Sequence, residues 1–177
     1  MRHWLCREAH LLFTVQDQLL AESSSTIRIE TDAMSEESLE YILKGFPGTR
    51  YFPKFKLTTW HPKGVLDQPF ADKLVAFIEW EEYTQAVPFD RYTDLSGLTE
   101  IRVSLDHVLD TAQRRRFVPE PVKTALFAEK PNSLELAQTY ERLMEGAVIT
   151  VRAFSDRQTA AEWLEVPPSI LQPPAAP

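Results

Sequence analysis

Glycine is scarce in this chain: five in 177 residues, at Gly45, Gly48, Gly64, Gly97 and Gly146. None of the glycine-rich phosphate loops, G-x-G-x-x-G or G-x-x-x-x-G-K-[ST], is present, and neither is the G-x-S-x-G elbow. Backbone amides reach a phosphate closely only where side chains are missing, so these nucleotide sites are excluded. Cysteine is scarcer still. Cys6 stands alone, which rules out an internal disulfide and a cysteine-rich zinc site and suits a reducing compartment. Positive charge is in deficit, with 19 basic against 26 acidic residues and a net charge of −7. That balance opposes nucleic-acid binding, which needs a basic footprint, and docking on an anionic membrane. Long apolar runs are missing too. Leu74-Val75-Ala76-Phe77-Ile78 is the longest, whereas a membrane span takes about 20 residues. The Leu11-Leu12-Phe13 stretch is too short for a signal peptide. The expected location is the cytoplasm, with no stable membrane insertion.

What is there is an ordinary globular composition, 44% apolar and 25% charged. Residues 1–53 read as an N-terminal extension, partly helical and loosely packed. Met34 precedes one of its helical stretches and marks an alternative start, leaving open whether residues 1–33 belong to the natural protein. Residues 54–166 read as one α/β domain. Residues 167–177 hold five of the thirteen prolines and read as a disordered tail.

Within 54–166 the hydrophobic period alternates between two and 3.6 residues. Phe55 to Trp60 reads as a strand, His61 to Gly64 as a tight turn, and Val65-Leu66 as the returning arm of a hairpin. Asp67 or Gln68 caps a helix carrying Phe70, Leu74, Phe77 and Ile78 on one stripe. Phe89 to Leu95 reads as a strand, with Tyr92 and Asp94 on one face and Arg91 and Thr93 on the other. Ser104 caps a helix whose apolar face is Leu105, Val108, Leu109 and Ala112. Val122 to Ala128 is a further strand. Asn132 and Glu135 form a capping pair for a helix ended by Gly146. Val148 to Phe154 is the last strand, and Ser155 with Gln158 caps the last helix. Strands alternating with helices predict a four- or five-stranded, mostly parallel mixed sheet with an N-terminal hairpin and flanking helices.

Three stretches carry a family resemblance: Lys63-Gly64-Val65-Leu66, Asp94-Leu95-Ser96-Gly97-Leu98-Thr99, and Val151 to Leu164 (VRAFSDRQTAAEWL). Over about residues 55–166 the chain resembles the sulfate transporter and anti-sigma-factor antagonist (STAS) fold. It is most similar to the stand-alone bacterial proteins grouped with stage II sporulation protein AA. The resemblance implies a non-catalytic regulatory or protein-interaction module with a protein partner. In anti-sigma-factor antagonists a serine opening the second helix is switched by a kinase, and alignment places Ser104 there. The family stretch reads D-S-S-G; this chain has Arg102-Val103-Ser104-Leu105, with Leu105 read as a core contact.

Ser104 is thus either a helix cap or a phospho-acceptor. Asp94, Ser96 and Thr99 fall at the C-terminal end of a strand, where open α/β sheets bind ligands. With Arg102 and His107 they form a candidate partner or ligand surface, although Asp94 and Ser96 also suit a role in organising the turn. A His107–Asp94 pair is one option within that set. Arg114, Arg115 and Arg116 read as compensation of the helix dipole or as an anion site. The histidines show no metal-ligand spacing, so no metal or cofactor is expected, and no nucleophile is in view for an enzyme. Trp80 and Tyr83 lie off the main stripe and mark a patch for a homodimer or a lipid-like ligand. Two functions stand: an interaction module, and a carrier holding a small apolar or lipid-like ligand between helices and sheet.

Overall fold

The computed structural model describes residues 48–84, 88–118 and 121–174, with backbone alone at 80, 81, 83 and 84. The readings made for residues 1–47, and the Trp80–Tyr83 patch, lie outside the described residues and side chains. The strands are β1 (Thr49–Phe52), β2 (Leu57–Trp60), β3 (Gly64–Leu66), β4 (Asp90–Asp94), β5 (Leu98–Ile101), β6 (Lys123–Phe127) and β7 (Thr150–Phe154). The helices are α1 (Gln68–Thr84), α2 (Leu105–Arg115), α3 (Pro131–Leu143) and α4 (Arg157–Leu164). A five-stranded sheet has the order β1-β2-β4-β6-β7. Its β1–β2 pair is antiparallel and every other pair parallel. The α/β class and the mostly parallel mixed sheet are therefore as the periodicity predicts.

The hairpin is displaced from its expected place. β2 does not return on β3; it pairs with β1, across a 3-10 turn at Pro53–Phe55 closed by Lys56 at φ +47°. β3 instead pairs parallel with β5 in a small separate sheet. His61-Pro62 carries the chain out of the main sheet, and two glycines make room for it. Gly48 sits at φ +87°, and a Cβ there would come 2.6 Å from the His61 carbonyl oxygen; a Cβ on Gly97 would come 2.6 Å from that of Pro62. Side chains at these positions would push His61 away from the sheet edge.

The parallel register fixes which side chains share a face. Arg91 lies opposite Thr124, and Thr124 opposite Val151; Tyr92 lies opposite Ala125. The Tyr92 face packs Leu57, Ala125, Phe127 and Phe154 under Ala160, Ala161 and Leu164 of α4. Leu171 seals the same cluster and is fully buried, carried there by a 3-10 turn at Pro168–Leu171. The segment expected as a disordered tail is thus ordered at its start, because prolines favour this turn and Leu171 gains a buried seat. The other face is covered by α1, α2 and α3, with Val122, Ile149 and Val151 packed against Ala112 and Met144.

Helix starts differ in detail from the sequence reading. Asp67 does cap α1, accepting from Phe70 N at 3.0 Å. In α4 the cap is Asp156, accepting from Thr159 N at 2.7 Å, in place of Ser155. α3 begins at Pro131 after Lys130 with no side-chain cap, so Asn132 falls inside the helix; proline at the first position fixes φ and lacks an N–H that would need one. Leu105, expected in the core, is 60% exposed.

Candidate functional site

Two regions hold the chemistry-bearing side chains, one at each face of the sheet. The first forms where β2 and β4 end side by side. Trp60 pairs with Thr93, so the next residues, His61 and Asp94, meet at the C-terminal ends of these strands. Asp94 is 1% exposed. Its Oδ1 accepts from Ser96 N at 2.9 Å and from Ser96 Oγ at 2.5 Å, and its Oδ2 accepts from Arg157 Nη2 at 2.9 Å. His61 Nδ1 stands 3.4 Å from Oδ2, an ion-pair distance. Burial works against ionisation of this carboxyl, but His61, Ser96 and Arg157 more than offset it and hold it down at about 2. Arg157 also donates to Tyr92 Oη at 3.2 Å and lies over the Phe127 ring at 4.3 Å. Burial, and then the Asp94 charge, push the Tyr92 phenol up. On the far side of His61, Arg50 Nη2 approaches Nε2 at 3.4 Å and donates to the carbonyls of Ile170 and Gln172. Both oxygens of Asp94 are thus engaged in this polar hub, while His61 Nδ1 and Arg50 Nε, buried beside it, make no hydrogen bond among the described residues.

The second region is a cavity of about 170 Å³ between the opposite face and helices α1, α2 and α3. Leu74, Val75 and Ile78 line it from α1, Leu126 and Val151 from the sheet, and Leu136 from α3. Arg91 and Arg115 stand at one end. Arg115 grips Glu82 bidentately, at 2.6 and 2.5 Å, and Arg91 shares the same carboxylate. Burial raises the Glu82 carboxyl, but the two guanidiniums prevail and hold it below its ordinary value. Along α2, His107, Thr111 and Arg115 recur every four residues and all face the cavity. Among the described residues His107 Nε2 and Thr111 Oγ1 are buried without a hydrogen-bond partner; Asp72 Oδ1 lies 3.5 Å from His107 Nε2. Trp60 lines this cavity and a second one of about 20 Å³, which it shares with Thr49 and Thr58. The side-chain polar atoms Thr49 Oγ1, Thr58 Oγ1 and Trp60 Nε1 also lack partners among the described residues, and that space suits a single water.

The residues proposed from sequence do not gather into one surface. Asp94 is buried in the hub and Ser96 is its turn partner, whereas Thr99 and Arg102 are exposed. Arg102 pairs with its neighbour Glu100, at 2.7 Å. His107 does not meet Asp94; His61 takes that place, because parallel pairing aligns strand ends while α2 sits over the other face. Ser104 caps α2, its Oγ accepting from His107 N at 3.2 Å and from Gln68 Nε2 at 3.0 Å. The three arginines diverge, since consecutive helical residues point about 100° apart. Arg114 is exposed, 3.9 Å from Asp72; Arg115 is buried on Glu82; Arg116 donates to Leu143 O at 2.6 Å. They form no common anion site. Sequence reasoning missed His61, Arg157, Arg50, Glu82 and Thr111. For His61 a signal existed, since it follows a strand that ends level with Asp94. For Thr111 the signal was its i+4 spacing from His107.

Among the described residues no helix is long and apolar enough to cross a membrane, and no group of three or more His, Cys, Asp or Glu could hold a metal ion. No family model matches the chain, and no curated protein matches it either.

Proposed function

We propose that this protein is a non-catalytic carrier or sensor that binds a small apolar molecule between the sheet and helices α1, α2 and α3. The observation that carries this reading is the cavity of about 170 Å³ lined by Leu74, Val75, Ile78, Leu126 and Leu136. A well-packed interior leaves few voids larger than a water molecule. An apolar cavity of about 150 Å³ stays dry and accepts benzene, so this one suits a single small ring or a short chain. The hub on the other face is centred on Asp94, whose two oxygens are already taken by Ser96 and Arg157.

Thermal unfolding of the full chain in the presence of toluene tests this. A ligand that binds only the folded state raises the midpoint in proportion to the logarithm of its concentration. The midpoint is expected to climb with toluene, and Ala137→Phe, which fills the cavity, is expected to abolish the climb. A midpoint indifferent to toluene in the unmodified protein overturns the reading.

A second reading, a regulatory interaction module resembling the anti-sigma-factor antagonists and acting in the cytoplasm, draws support from one feature. Leu105 is 60% exposed at the start of α2, beside exposed Ser104 and Arg102. An apolar side chain rimmed by polar ones is the usual make-up of a contact point for a protein partner. Ser104 Oγ is already engaged as the cap of α2, which favours the structural role of that serine over phosphorylation.

A further inference from the structure

The cavity is not uniformly apolar, and the exceptions are placed in a way that packing alone does not explain. Among the described residues, His107 Nε2 and Thr111 Oγ1 are both buried and without a hydrogen-bond partner, with Asp72 Oδ1 3.5 Å from His107 Nε2, and both belong to residues that line the space. They lie one helical turn apart on the same face of α2. Buried polar atoms are satisfied in nearly all native structures, and each exception calls for a reason. Valine in place of Thr111 would have the same shape and leave nothing unsatisfied. From this we infer that the occupant carries a hydroxyl group: the site takes a small phenol or alcohol, its apolar body against Leu74, Ile78 and Leu136 and its oxygen between Thr111 and His107. The inference rests on the cavity being a binding site, as proposed above, and names the chemistry of its ligand.

A hydroxyl fits these two atoms better than other polar groups do. It donates one hydrogen bond and accepts others. Thr111 Oγ1 and a ligand hydroxyl can each donate or accept, so one hydroxyl can serve Thr111 and His107 Nε2 together whichever ring nitrogen carries the hydrogen. A ketone can accept from these atoms but can donate to neither. A carboxylate would enter beside Asp72, whose Oδ1 is 3.5 Å from His107 Nε2, and like charges at such range oppose each other.

Toluene and phenol test this on the full chain, because they have the same number of heavy atoms and nearly the same shape. Calorimetric titration is expected to show both binding to the unmodified protein. In Thr111→Val, phenol affinity is expected to fall about tenfold, as for loss of one buried hydrogen bond, while toluene affinity holds or rises. His107→Leu is expected to act in the same direction and serves if Thr111→Val does not fold. Toluene binding with no phenol binding overturns the hydroxyl inference and leaves the cavity reading standing. So does an equal loss of both ligands in Thr111→Val. Absence of binding by either compound overturns both.

Discussion

On the face of the sheet covered by α4, the central carboxylate is enclosed and matched: Asp94 accepts from Ser96 and Arg157, and Arg157 reaches on to Tyr92. On the face covered by α1, α2 and α3, packing leaves about 170 Å³ unfilled, and Thr111 turns toward it a hydroxyl with no partner among the described residues, beside His107, whose Nε2 has only an ion-pair approach from Asp72 at 3.5 Å. Both faces belong to the same strands and differ by one residue of register, so the contrast is a property of side chains and not of backbone. A carboxylate that its neighbours satisfy stabilises a fold and has little left to offer a ligand. A cavity with orphaned hydrogen-bonding atoms is less stable than it could be, and the missing partner is what a ligand supplies. Proximity of charged residues is therefore a poor guide to function here; incompleteness is the better one.

The contrast breaks most severely if the hub proves dispensable. Asp94→Asn removes the charge that Arg157 and His61 share, and is expected to destabilise the protein by about 3 kcal/mol, as for a buried pair losing one partner. Urea unfolding measures it. The pH dependence follows from the same group. The Asp94 carboxyl titrates at about 2 when folded against an ordinary 3.8. Because the folded value is the lower one, the unfolded chain takes up the proton first as pH falls. The stabilisation, on the order of 2 kcal/mol, is complete above about pH 4 and disappears as pH drops toward 2. Asp94→Asn should lack this part of the acid limb. A variant as stable as the unmodified protein, with the same acid limb, would mean that the hub is held by its neighbours alone.

A packing comparison sharpens the difference between the faces. Ala160 is fully buried under the hub face, whereas Val75 borders the cavity. Ala160→Val forces two methyl groups into filled space and is expected to cost about 1–3 kcal/mol. Val75→Leu enlarges a side chain next to open volume and is expected to change stability by less than about 1 kcal/mol. Equal losses at the two positions would show the cavity to be closed to added atoms.

How much of this was legible in the sequence depends on whether the signal is local. The face assignments on β4 follow from period-two alternation, and the caps at Asp67 and Ser104 from short-range hydrogen bonding. The pairing of β2 with β1, in place of β3, is not local: it turns on Gly48 and Gly97 admitting the His61-Pro62 backbone, and neither glycine announces what lies opposite. Likewise Asp94 stands out in the sequence, whereas His61 and Arg157, which reach it from other segments, and Arg50 behind His61 do not. Arg114, Arg115 and Arg116 show the converse error, adjacency in sequence mistaken for adjacency in space. A cavity is the least legible feature of all, being the volume that side chains from three helices and several strands fail to fill.

Ser104 ties the start of α2 to the start of α1, and its expected effect is smaller than that of the hub. Its Oγ closes the first turn of α2 through His107 N and also holds Gln68 at the start of α1. Ser104→Ala removes one cap and is expected to cost about 1 kcal/mol in urea unfolding. His107 belongs to that first turn, so a loosened cap lets its ring wander from the cavity wall. Phenol affinity should then weaken by a few-fold while toluene affinity, set by residues deeper on α1 and α3, stays constant. A loss of stability with both affinities intact would separate the cap from the ligand site. Thr111, one turn further along, would then carry the recognition without help from the helix start.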